Sequence, residues 1–354
     1  MNAILNSKHY YDKSFFEKEI SEIFLKSWIY LGHLSEFKNN NDYKTVSFKG
    51  RELVVQNFNG KLRCFLNVCS HRHSIIQTKK EGNRAFFCPY HGWAYNSKGI
   101  PKGIPSKPLF NYTKNDLDCL KLKSFDIDYC GDFIFASMDN CINTLEDYLE
   151  NYYTKLEEIS KTIDLKIDVN RFSTKTNWKI IVENTLEAYH VNLIHENTFL
   201  KLGTSGTKFS FSENHSSWVT SMNKKVDDTS NKRIYKYFEP TKYEIDGYEH
   251  ILIFPNVLIS STYGKTYNIS RVDPISSTES LFQSEVFVSK RETNNITKIF
   301  DQQLIKFNRQ VFQEDKDICE EVQKGTFISE HQGQLSEEEE RVFHFQKSIN
   351  SKTI

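Results

Sequence analysis

His190 and His195 lie near the end of a segment, residues 177–195, whose apolar positions have helical spacing. Thr176 or Asn177 provides a cap at its start. His195 follows His190 by five positions, which is about 140° around a helix at about 100° per residue. The two imidazoles can therefore bind one metal ion only near a helix end or a kink.

Carboxylates accompany these imidazoles. Glu183, Glu187 and His190 are three or four residues apart, so a continuous helix would place them on one face. Two imidazoles with a nearby carboxylate suggest a metal site that still needs a ligand from elsewhere in the chain. A solvated helix face is the commoner explanation of such a pattern, and a second metal signature upstream argues against it here.

That second signature consists of two pairs, Cys69 with His71 and Cys88 with His91. Each pair lies at the end of a predicted strand, so two loops can present two ligands each. Two thiolates and two imidazoles suit either a structural zinc ion or a sulfide-bridged iron cluster. Zinc fingers usually keep Cys with Cys and His with His. Here each loop pairs one Cys with one His, which favours a cluster in which one iron takes both thiolates and the other both imidazoles.

The composition is that of a globular protein with room for more than one domain. The chain has 354 residues and a formal net charge of zero, so nothing favours a nucleic acid or an anionic membrane as its partner. It lacks any run of about 18 apolar residues and its polar start lacks a signal-peptide pattern, which predicts a cytoplasmic protein. Seven scattered cysteines argue against a disulfide framework and for metal binding by some of them.

Short strands and turns dominate the first half of the chain, after a helical segment at 12–28. Asn59-Gly60 separates two apolar runs and predicts a tight hairpin within a β-rich region at about 43–137. A charged helical segment at about 143–162 leads into further strands and a long helix. The strands are predicted at about 208–221, 232–238, 250–261, 266–273 and 280–290, and the helix at about 292–324.

Together, the two metal signatures resemble those of the Rieske non-haem iron oxygenases, in their terminal oxygenase α subunits. Residues 69–72 (Cys-Ser-His-Arg) and 88–93 (Cys-Pro-Tyr-His-Gly-Trp) are similar to the Rieske [2Fe-2S] motif, and residues 177–195 resemble the mononuclear iron motif. The similarity covers nearly the whole chain. Ser70 stands where the family usually has Pro, and His73 where it usually has Gly. These departures bear on cluster potential and loop packing rather than on cluster identity.

The resemblance implies an α+β fold in three parts. An N-terminal helical segment at 1–42 would pack on the catalytic domain, and an all-β Rieske domain would occupy 43–142. A catalytic mononuclear iron domain at 143–354 would hold an antiparallel sheet flanked by helices.

The resemblance also implies the ligands of two metal centres. The cluster would be held by Cys69, His71, Cys88 and His91. A mononuclear Fe(II) would be held by His190, His195 and a carboxylate, the arrangement that leaves positions open for O₂ chemistry. The family pattern is similar to residues 314–325 and places this carboxylate at Asp315, with Asp317 as the rival.

Two further residues are assigned by the resemblance. Glu187 stands where most family members have Asp, a carboxylate that typically bridges a cluster histidine of one subunit, here His91, and an iron histidine of the next, here His190. The alternative role of Glu187 is to orient His190 alone. Asn184 is expected near the iron. An electron path between subunits implies an oligomer, with a homotrimer as the family expectation.

As a terminal oxygenase, the protein would receive electrons from NAD(P)H through a separate flavin and iron–sulfur reductase. The electrons would pass to the cluster and then to Fe(II), where O₂ is activated and oxygen enters a small-molecule substrate. The chain has no G-x-G-x-x-G dinucleotide motif after a strand, which agrees with a separate reductase.

Glu187, the short chain and the tail at 322–345 resemble the carnitine, glycine betaine and choline monooxygenases. The expected substrate is therefore a quaternary amine, hydroxylated next to nitrogen with C–N cleavage. Trp218, Tyr263 and Tyr267 are candidates for aromatic faces around a trimethylammonium group. The alternatives are an aromatic-ring or heterocycle hydroxylase or dioxygenase, an electron-transfer Rieske protein without oxygenase activity, and a zinc-dependent structural protein.

Overall fold

A computed structural model of the chain describes residues 1–48, 51–139, 141–199, 204–222 and 232–354. The chain forms two compact units. One is Leu25–Tyr148, and the other combines Met1–Phe24 with Leu149–Ile354. The α+β class is confirmed, and the three domain bounds expected from the sequence stay predictions.

The unit Leu25–Tyr148 is built almost entirely of short strands. Its sheets have the strand orders β1-β10-β9, β5-β2-β3-β4-β8 and β6-β7, with the strands β1 (Trp28–His33), β2 (Asp42–Phe48), β3 (Arg51–Phe58), β4 (Lys61–Leu66), β5 (Glu81–Asn83), β6 (Ala94–Tyr95), β7 (Pro101–Gly103), β8 (Ser124–Phe125), β9 (Ile127–Cys130) and β10 (Phe133–Ser137).

Asn59 and Gly60 both have positive φ, 54° and 86°, between the paired residues Phe58 and Lys61. That geometry is a two-residue hairpin turn, so the predicted hairpin is confirmed.

The hydrophobic core of this unit contains both cysteines of the first metal signature. Cys69 and Cys88 pack in one buried cluster with Trp93, Tyr95 and Phe86. Phe86 stacks on Phe65 of β4, with ring centroids 5.6 Å apart. The loops that carry the cysteines are therefore fixed by the core of the sheet.

The second unit contains one seven-stranded antiparallel sheet in the order β11-β17-β16-β15-β14-β13-β12. Its strands are β11 (Ile163–Thr174), β12 (Thr204–Phe211), β13 (Ser216–Met222), β14 (Tyr248–Ile253), β15 (Val257–Thr262), β16 (Thr266–Ser276) and β17 (Glu279–Ser289). Every neighbouring pair is antiparallel, as expected for the catalytic part of the fold.

Helices contribute most of the remaining described structure. They are α1 (Lys13–Glu22), α2 (Lys114–Cys119), α3 (Leu145–Leu149), α4 (Tyr153–Thr162), α5 (Trp178–Leu186), α6 (Val191–Ile194), α7 (Lys232–Tyr235), α8 (Asn295–Thr326) and α9 (Glu340–Thr353). Helix α8 contacts both α5 and β11. None of the helices in the described ranges combines the length and apolar character needed to cross a membrane.

Four sequence predictions of secondary structure are wrong in extent. The strand predicted at 208–221 is two antiparallel strands, β12 and β13, joined by a turn. The first helix ends at Glu22, and β1 begins six residues later, at Trp28. The segment predicted as a strand at 232–238 begins as the short helix α7, and the strand predicted at 250–261 is two strands, β14 and β15, joined by a turn. Apolar residues continue on both sides of that turn, at 251–254 and 257–259, so the apolar pattern alone does not reveal it.

Candidate metal centres

The two Cys–His loops of the first unit form the same turn. The amide of His73 donates to the carbonyl oxygen of Cys69 at 3.0 Å, and the amide of Gly92 donates to that of Cys88 at 3.0 Å. His73 and Gly92 have positive φ values of 60° and 74°. The left-handed conformation favours glycine because it has no Cβ, so His73 adopts the same turn at a cost in free energy.

The metal-binding side chains of these loops converge. Cys69 and Cys88 pack in the same buried cluster and form no disulfide, and burial, with the neighbouring Cys88 as a further cause, raises the pKa of the Cys69 thiol. The rings of His71 and His91 have centroids 4.6 Å apart. Nδ1 of His71 is buried and has no hydrogen-bond partner among the described residues. A buried nitrogen without a partner is costly, and binding to iron would satisfy it.

The spacing of the four donors fits a cluster better than a single ion. Within the described ranges, His190, His195 and Asp315 form a group whose potential ligand atoms all lie within 4.8 Å of one another. The four Cys and His donors of the first signature do not form such a close group. A tetrahedral zinc ion, with bonds of about 2.0–2.3 Å, would need all four donors within about 4 Å of one another. Two irons bridged by sulfide allow the thiolates and the imidazoles to stand further apart.

Tyr95 and Ser70 surround the cluster loops with hydrogen bonds. The amide of Ser70 donates to the Tyr95 hydroxyl oxygen at 3.1 Å, and that hydroxyl lies 3.0 Å from Sγ of Cys69. Proline at position 70 could not make the first bond because it lacks an N–H. The departure of Ser70 from the family pattern thus has a structural consequence: its amide and its hydroxyl both hold the Tyr95 hydroxyl beside the cysteine sulfur.

The second metal signature is built at a helix end. Helix α5 is capped by Asn177, whose side chain accepts from the amide of Lys179 at 2.9 Å, and it stops at Leu186. Glu187 is extended, with φ −126° and ψ 166°. His190 and His195 flank the single turn of α6. The prediction that both histidines require a helix end is confirmed.

The prediction that Glu183 shares a face with Glu187 and His190 is wrong, because α5 ends between them. Glu183 is instead half-buried and accepts a hydrogen bond from the Tyr10 hydroxyl at 2.9 Å. Burial raises the pKa of Glu183 to about 7, against the lowering effect of that hydrogen bond. Glu183 thus belongs to the contacts that hold α5 against the N-terminal segment.

Asp315 of α8 completes a group of three metal donors. Its Oδ1 lies 3.0 Å from Nε2 of His195 and 3.7 Å from Nε2 of His190. Asp317 is not part of this group, and its carboxylate accepts from Nε2 of Gln313 at 2.7 Å. Two imidazoles and one carboxylate on one side form the donor set of a mononuclear Fe(II) site with open positions. The residues present therefore fit the metal that the sequence predicts.

Each of the two histidines has a further carboxylate at Nδ1, the ring nitrogen that does not face Asp315. Glu187 contacts Nδ1 of His190, and Glu314 contacts Nδ1 of His195 at 2.8 Å. Both histidines are thereby held with Nε2 directed at Asp315, which is the tautomer and orientation a metal ligand needs. The sequence prediction missed Glu314. Its position next to Asp315 was the available signal, but adjacent helical residues ordinarily diverge by about 100°.

The electrostatics of this site agree with the geometry. Burial lowers the pKa of His195, but the hydrogen bonds and charges of Asp315 and Glu314 outweigh burial and raise it. The pKa of Glu314 is lowered, because hydrogen bonds from His195 and Thr198 outweigh its burial. Asn184, expected near the iron, donates from Nδ2 to Oδ1 of Asp315 at 2.8 Å. It therefore positions the carboxylate of the group.

A cavity of about 350 Å³ opens onto these donors. It lies between α8 and one face of the seven-stranded sheet, and its wall includes the aromatic residues Phe199, Trp218 and Tyr248. Phe199 contacts His195, with ring centroids 5.5 Å apart, and Tyr248 lies 6.0 Å from Phe199 and 5.4 Å from Trp218. The volume suits a small organic molecule.

The aromatic residues proposed from the sequence have different positions. Trp218 and Tyr267 line the cavity, although the Tyr267 hydroxyl already donates to the carbonyl oxygen of Gly264 at 2.7 Å. Tyr263 is outside the cavity wall and packs against Tyr235, with ring centroids 5.1 Å apart. Trp218 is thus the one of the three whose position fits a role in substrate binding.

Comparison with protein families agrees with both centres. Residues 27–120 match the Rieske [2Fe-2S] domain, and residues 145–353 match the catalytic domain of the ring hydroxylating alpha subunit. The chain belongs to the Rieske ring-hydroxylating oxygenases. This membership argues against a zinc-dependent structural protein, and the grouped His190, His195 and Asp315 donors argue against an electron-transfer Rieske protein without oxygenase activity.

Curated relatives in this family act on different substrates. The chain is 30% identical over 336 residues to the carnitine monooxygenase oxygenase subunit of Escherichia coli (strain K12), covering 93% of this chain and 85% of the relative. It is 27% identical to the chloroplastic choline monooxygenase of Spinacia oleracea, covering 90% and 71%. A large oxygenase component of a naphthalene 1,2-dioxygenase system from Ralstonia sp is 35% identical over 57% of this chain and 47% of the relative.

Solved structures share the fold. The quaternary ammonium Rieske monooxygenase CntA in complex with L-carnitine superposes with a TM-score of 0.81 at 20% identity, covering 100% of this chain and 96% of that one. A naphthalene 1,2-dioxygenase mutant superposes with a TM-score of 0.71 at 22% identity, covering 92% and 81%. The whole chain therefore has the architecture of a Rieske oxygenase α subunit.

Proposed function

We propose that this Rieske oxygenase hydroxylates a quaternary amine at a carbon next to the nitrogen, with cleavage of the C–N bond. The observation that carries the proposal is the position of the His190, His195 and Asp315 donors, which open onto a cavity with aromatic walls. When bound, the [2Fe-2S] cluster supplies electrons and the mononuclear iron uses them to activate O₂. One oxygen atom enters a C–H bond and the other leaves as water.

The chain's own residues define what happens around that chemistry. His190, His195 and Asp315 would hold the iron, and Cys69, His71, Cys88 and His91 would hold the cluster. Glu187 and Glu314 keep both imidazoles in the orientation for metal binding. Asn184 restrains Asp315 through its 2.8 Å hydrogen bond.

The walls of the cavity support a cationic substrate. Phe199, Trp218 and Tyr248 form a connected set of aromatic faces beginning at His195. The face of an aromatic ring attracts a trimethylammonium group, because the ring carries negative potential above its plane. Hydroxylation next to such a nitrogen gives an unstable carbinol, which releases a tertiary amine and leaves an aldehyde.

A second candidate substrate is an aromatic ring. The wall of the cavity also includes apolar side chains, with Phe282, Val286, Phe300 and Leu304 among them. An apolar wall of this kind would also hold a planar hydrocarbon or heterocycle. Dioxygenation of such a ring is therefore the alternative reaction.

Electron transfer is proposed to run between subunits of a homotrimer. Glu187 has one carboxylate oxygen on Nδ1 of His190. Its other oxygen accepts from the amides of Tyr189 and His190. We propose that Glu187 also receives a hydrogen bond from His91 of a neighbouring subunit. The electron donor would be a separate NAD(P)H-dependent reductase containing flavin and an iron–sulfur centre, and the site of action would be the cytoplasm.

The substrate proposal is tested by product analysis with a reductase, NADH and ¹⁸O₂. L-carnitine, glycine betaine, choline and a panel of aromatic acids are supplied separately. The proposal predicts a tertiary amine and an aldehyde from at least one quaternary amine, with one labelled oxygen in the carbonyl before exchange. A cis-diol or phenol from an aromatic acid, with every quaternary amine left unchanged, would overturn it in favour of the second candidate.

The intersubunit path is tested with two complementary variants. Cys88→Ser removes a cluster ligand and keeps the iron site, whereas Asp315→Ala keeps the cluster and removes an iron ligand. Each variant alone is expected to be inactive. Co-expressed mixed oligomers should regain a substantial fraction of wild-type activity, because an intact cluster in one chain can serve an intact iron in its neighbour. Mixed oligomers that stay inactive while containing both metals would contradict the path.

A further inference from the structure

A buried arginine lies behind the cavity. Arg341, in the first turn of α9, is 0% exposed. Its guanidinium donates to Oγ and the carbonyl oxygen of Ser216 at 3.0 and 3.1 Å, to the carbonyl oxygen of Leu186 at 3.4 Å and to Nδ1 of His250 at 3.2 Å. All of these acceptors are uncharged. Within the described part of the chain, Arg341 therefore has a buried positive charge without a carboxylate partner.

Burying such a charge costs free energy, and this cost affects the protonation of Arg341. Burial lowers the pKa of Arg341 to about 9. The carbonyl of Leu186, at the negative end of α5, offsets part of the positive charge, while the positive end of α9 adds to it. An unpaired buried cation raises the positive potential of the neighbouring volume, and an anionic ligand there would compensate it.

His250 connects this charge to the cavity. Because Arg341 can only donate, Nδ1 of His250 must accept, and the remaining nitrogen, Nε2, carries the proton of the neutral ring. Burial, with the charge of Arg341 as a further cause, holds the pKa of His250 well below its usual value, so the ring stays neutral. His250 lines the cavity. It therefore presents an N–H donor whose polarity is strengthened by the arginine behind it.

A row of ring contacts separates His250 from the metal donors: it runs from His195 through Phe199, Tyr248 and Trp218, and Trp218 stacks on His250 with ring centroids 6.4 Å apart. His250 pairs with Trp218 on one side and with Ser260 on the other. Tyr248 is two residues before His250 on the same strand and the same face, about 7 Å away along the strand. Burial is the largest cause of the raised pKa of Tyr248; of the two charges that act on this residue, Arg341 lowers the pKa and Asp315 raises it.

The side of the cavity that holds the metal donors is its negative end, and its net charge stays negative when a ferrous ion is bound. Asp315, Glu187 and Glu314 place three carboxylates around the site, against the two positive charges of one ferrous ion. A molecule with a cation near the iron and an anion near His250 would match both ends. A cation without an anionic group would leave the Arg341 end uncompensated.

We infer that Arg341 and His250 form a recognition element for a substrate carboxylate, with Nε2–H of His250 as the contacting donor, so that the enzyme selects carboxylated quaternary amines over simple cations such as choline. The inference rests on the proposed function, because it assigns the second end of the same substrate. Arg341 acts through His250 and is a positioning residue.

The test uses three small molecules that differ in one charge each. γ-Butyrobetaine carries both charges, butyltrimethylammonium lacks the carboxylate, and 5,5-dimethylhexanoate has carbon in place of the ammonium nitrogen. Their dissociation constants are measured by anaerobic calorimetry on protein loaded with cluster and Fe(II), which requires no turnover. The wild-type protein should bind γ-butyrobetaine about 10- to 100-fold more tightly than butyltrimethylammonium, as expected for a hydrogen bond to a charged group.

Variants at His250 test whether this residue causes the preference for ligands with a carboxylate. His250→Phe keeps a ring against Trp218 and removes the donor, so binding of both carboxylates should weaken about 10- to 100-fold while butyltrimethylammonium changes by less than about threefold. His250→Gln, which keeps an amide acceptor for Arg341 and an N–H donor, should restore part of the loss. Ser221→Ala is the control, at an exposed position of the neighbouring strand β13 outside the cavity wall, and should leave all three constants within about threefold.

The outcomes separate this inference from the proposed function. Equal binding of γ-butyrobetaine and butyltrimethylammonium by the wild-type protein would overturn the inference while leaving quaternary amines as ligands. Equal weakening of both by His250→Phe would also overturn it. If neither trimethylammonium compound binds but 5,5-dimethylhexanoate binds in a His250-dependent manner, the carboxylate element stands and the quaternary amine proposal fails.

Discussion

The two metal centres of this protein are assembled in opposite ways. The proposed cluster ligands come from two loops of one small β unit, in which the same turn is used twice. The proposed iron ligands come from the segment after α5 and from α8, so that His190 and Asp315 are 125 positions apart in the chain. The first centre depends on local backbone geometry, and the second depends on the packing of a helix against a helix end.

This difference determines what supports each ligand. In the cluster region, a core of aromatic residues fixes the loops, and the Tyr95 hydroxyl contacts the Cys69 sulfur. In the iron region, carboxylates hold the imidazoles, with Glu187 behind His190 and Glu314 behind His195. Changes at the iron centre should therefore act on metal binding and turnover, and changes at the cluster on potential and stability.

The largest effect is expected for Asp315→Ala. Loss of the carboxylate ligand should lower product formation by about a thousandfold or more, because iron then has two imidazoles alone. Iron content should fall from about three to about two per chain while the cluster spectrum persists. Asp317→Ala is the control and should keep activity within about threefold. Comparable losses in both variants would show that α8 positions the ligand differently.

Glu314→Gln and Glu187→Gln separate two roles of similar carboxylates. Both remove a negative charge from Nδ1 of an iron histidine. Glu314→Gln should weaken iron binding about 10- to 100-fold and regain cluster oxidation when iron is saturating. Glu187→Gln should fail to oxidise the reduced cluster even with iron bound, if its carboxylate is the bridge. Iron titration combined with stopped-flow absorbance distinguishes them. Normal turnover by Glu187→Gln would show that Glu187 does not bridge the two metal centres.

Tyr95→Phe should lower the reduction potential of the cluster. A hydrogen bond to sulfur stabilises the more negative, reduced state, and a net value of about 1 kcal/mol corresponds to about 40 mV for one electron. Spectroelectrochemical titration measures the shift. Tyr112→Phe, whose ring contacts Trp93 and Phe110, is the control and should leave the potential unchanged. A shift of equal size in the control would assign the effect to packing.

The smallest effect concerns the repeated turn. His73→Gly should raise the free energy of unfolding by up to about 1 kcal/mol, because glycine adopts the positive φ without strain but is more flexible when unfolded. Gly92→Ala should act in the opposite direction, since a Cβ there would lie 3.2 Å from Cγ of Pro105. Thermal loss of cluster absorbance reports both. A destabilising His73→Gly would mean that the imidazole contributes a contact that outweighs the strain.

Sequence patterns predicted the cluster region more completely than the iron region. Cys69, His71, Cys88 and His91 stand in two short motifs, and the Asn59-Gly60 turn sets a hairpin by local conformational preference alone. His190 and His195 were also evident from their spacing. Helical periodicity, in contrast, continued through Leu186, so the end of α5 and the inward position of Glu183 were missed.

Contacts between distant parts of the chain were beyond these patterns. Glu314 approaches His195 only because α8 packs beside α6, and Arg341 reaches His250 only because the first turn of α9 lies beside β13 and β14. Neither residue has a local signal for its role. The choice of Asp315 over Asp317 likewise came from similarity to a family pattern, and the structure places Asp315 with the histidines.

The most direct measurement is a single turnover of the anaerobically reduced protein, loaded with cluster and Fe(II), mixed with O₂ and a quaternary amine. Cluster absorbance and product are followed together. If both centres act in one reaction, the reduced cluster should be oxidised as a tertiary amine and an aldehyde appear, and Asp315→Ala should show neither event. Product formation by Asp315→Ala at the wild-type rate, or a wild-type cluster that stays reduced while product forms, would contradict the central claim that both centres act in one reaction.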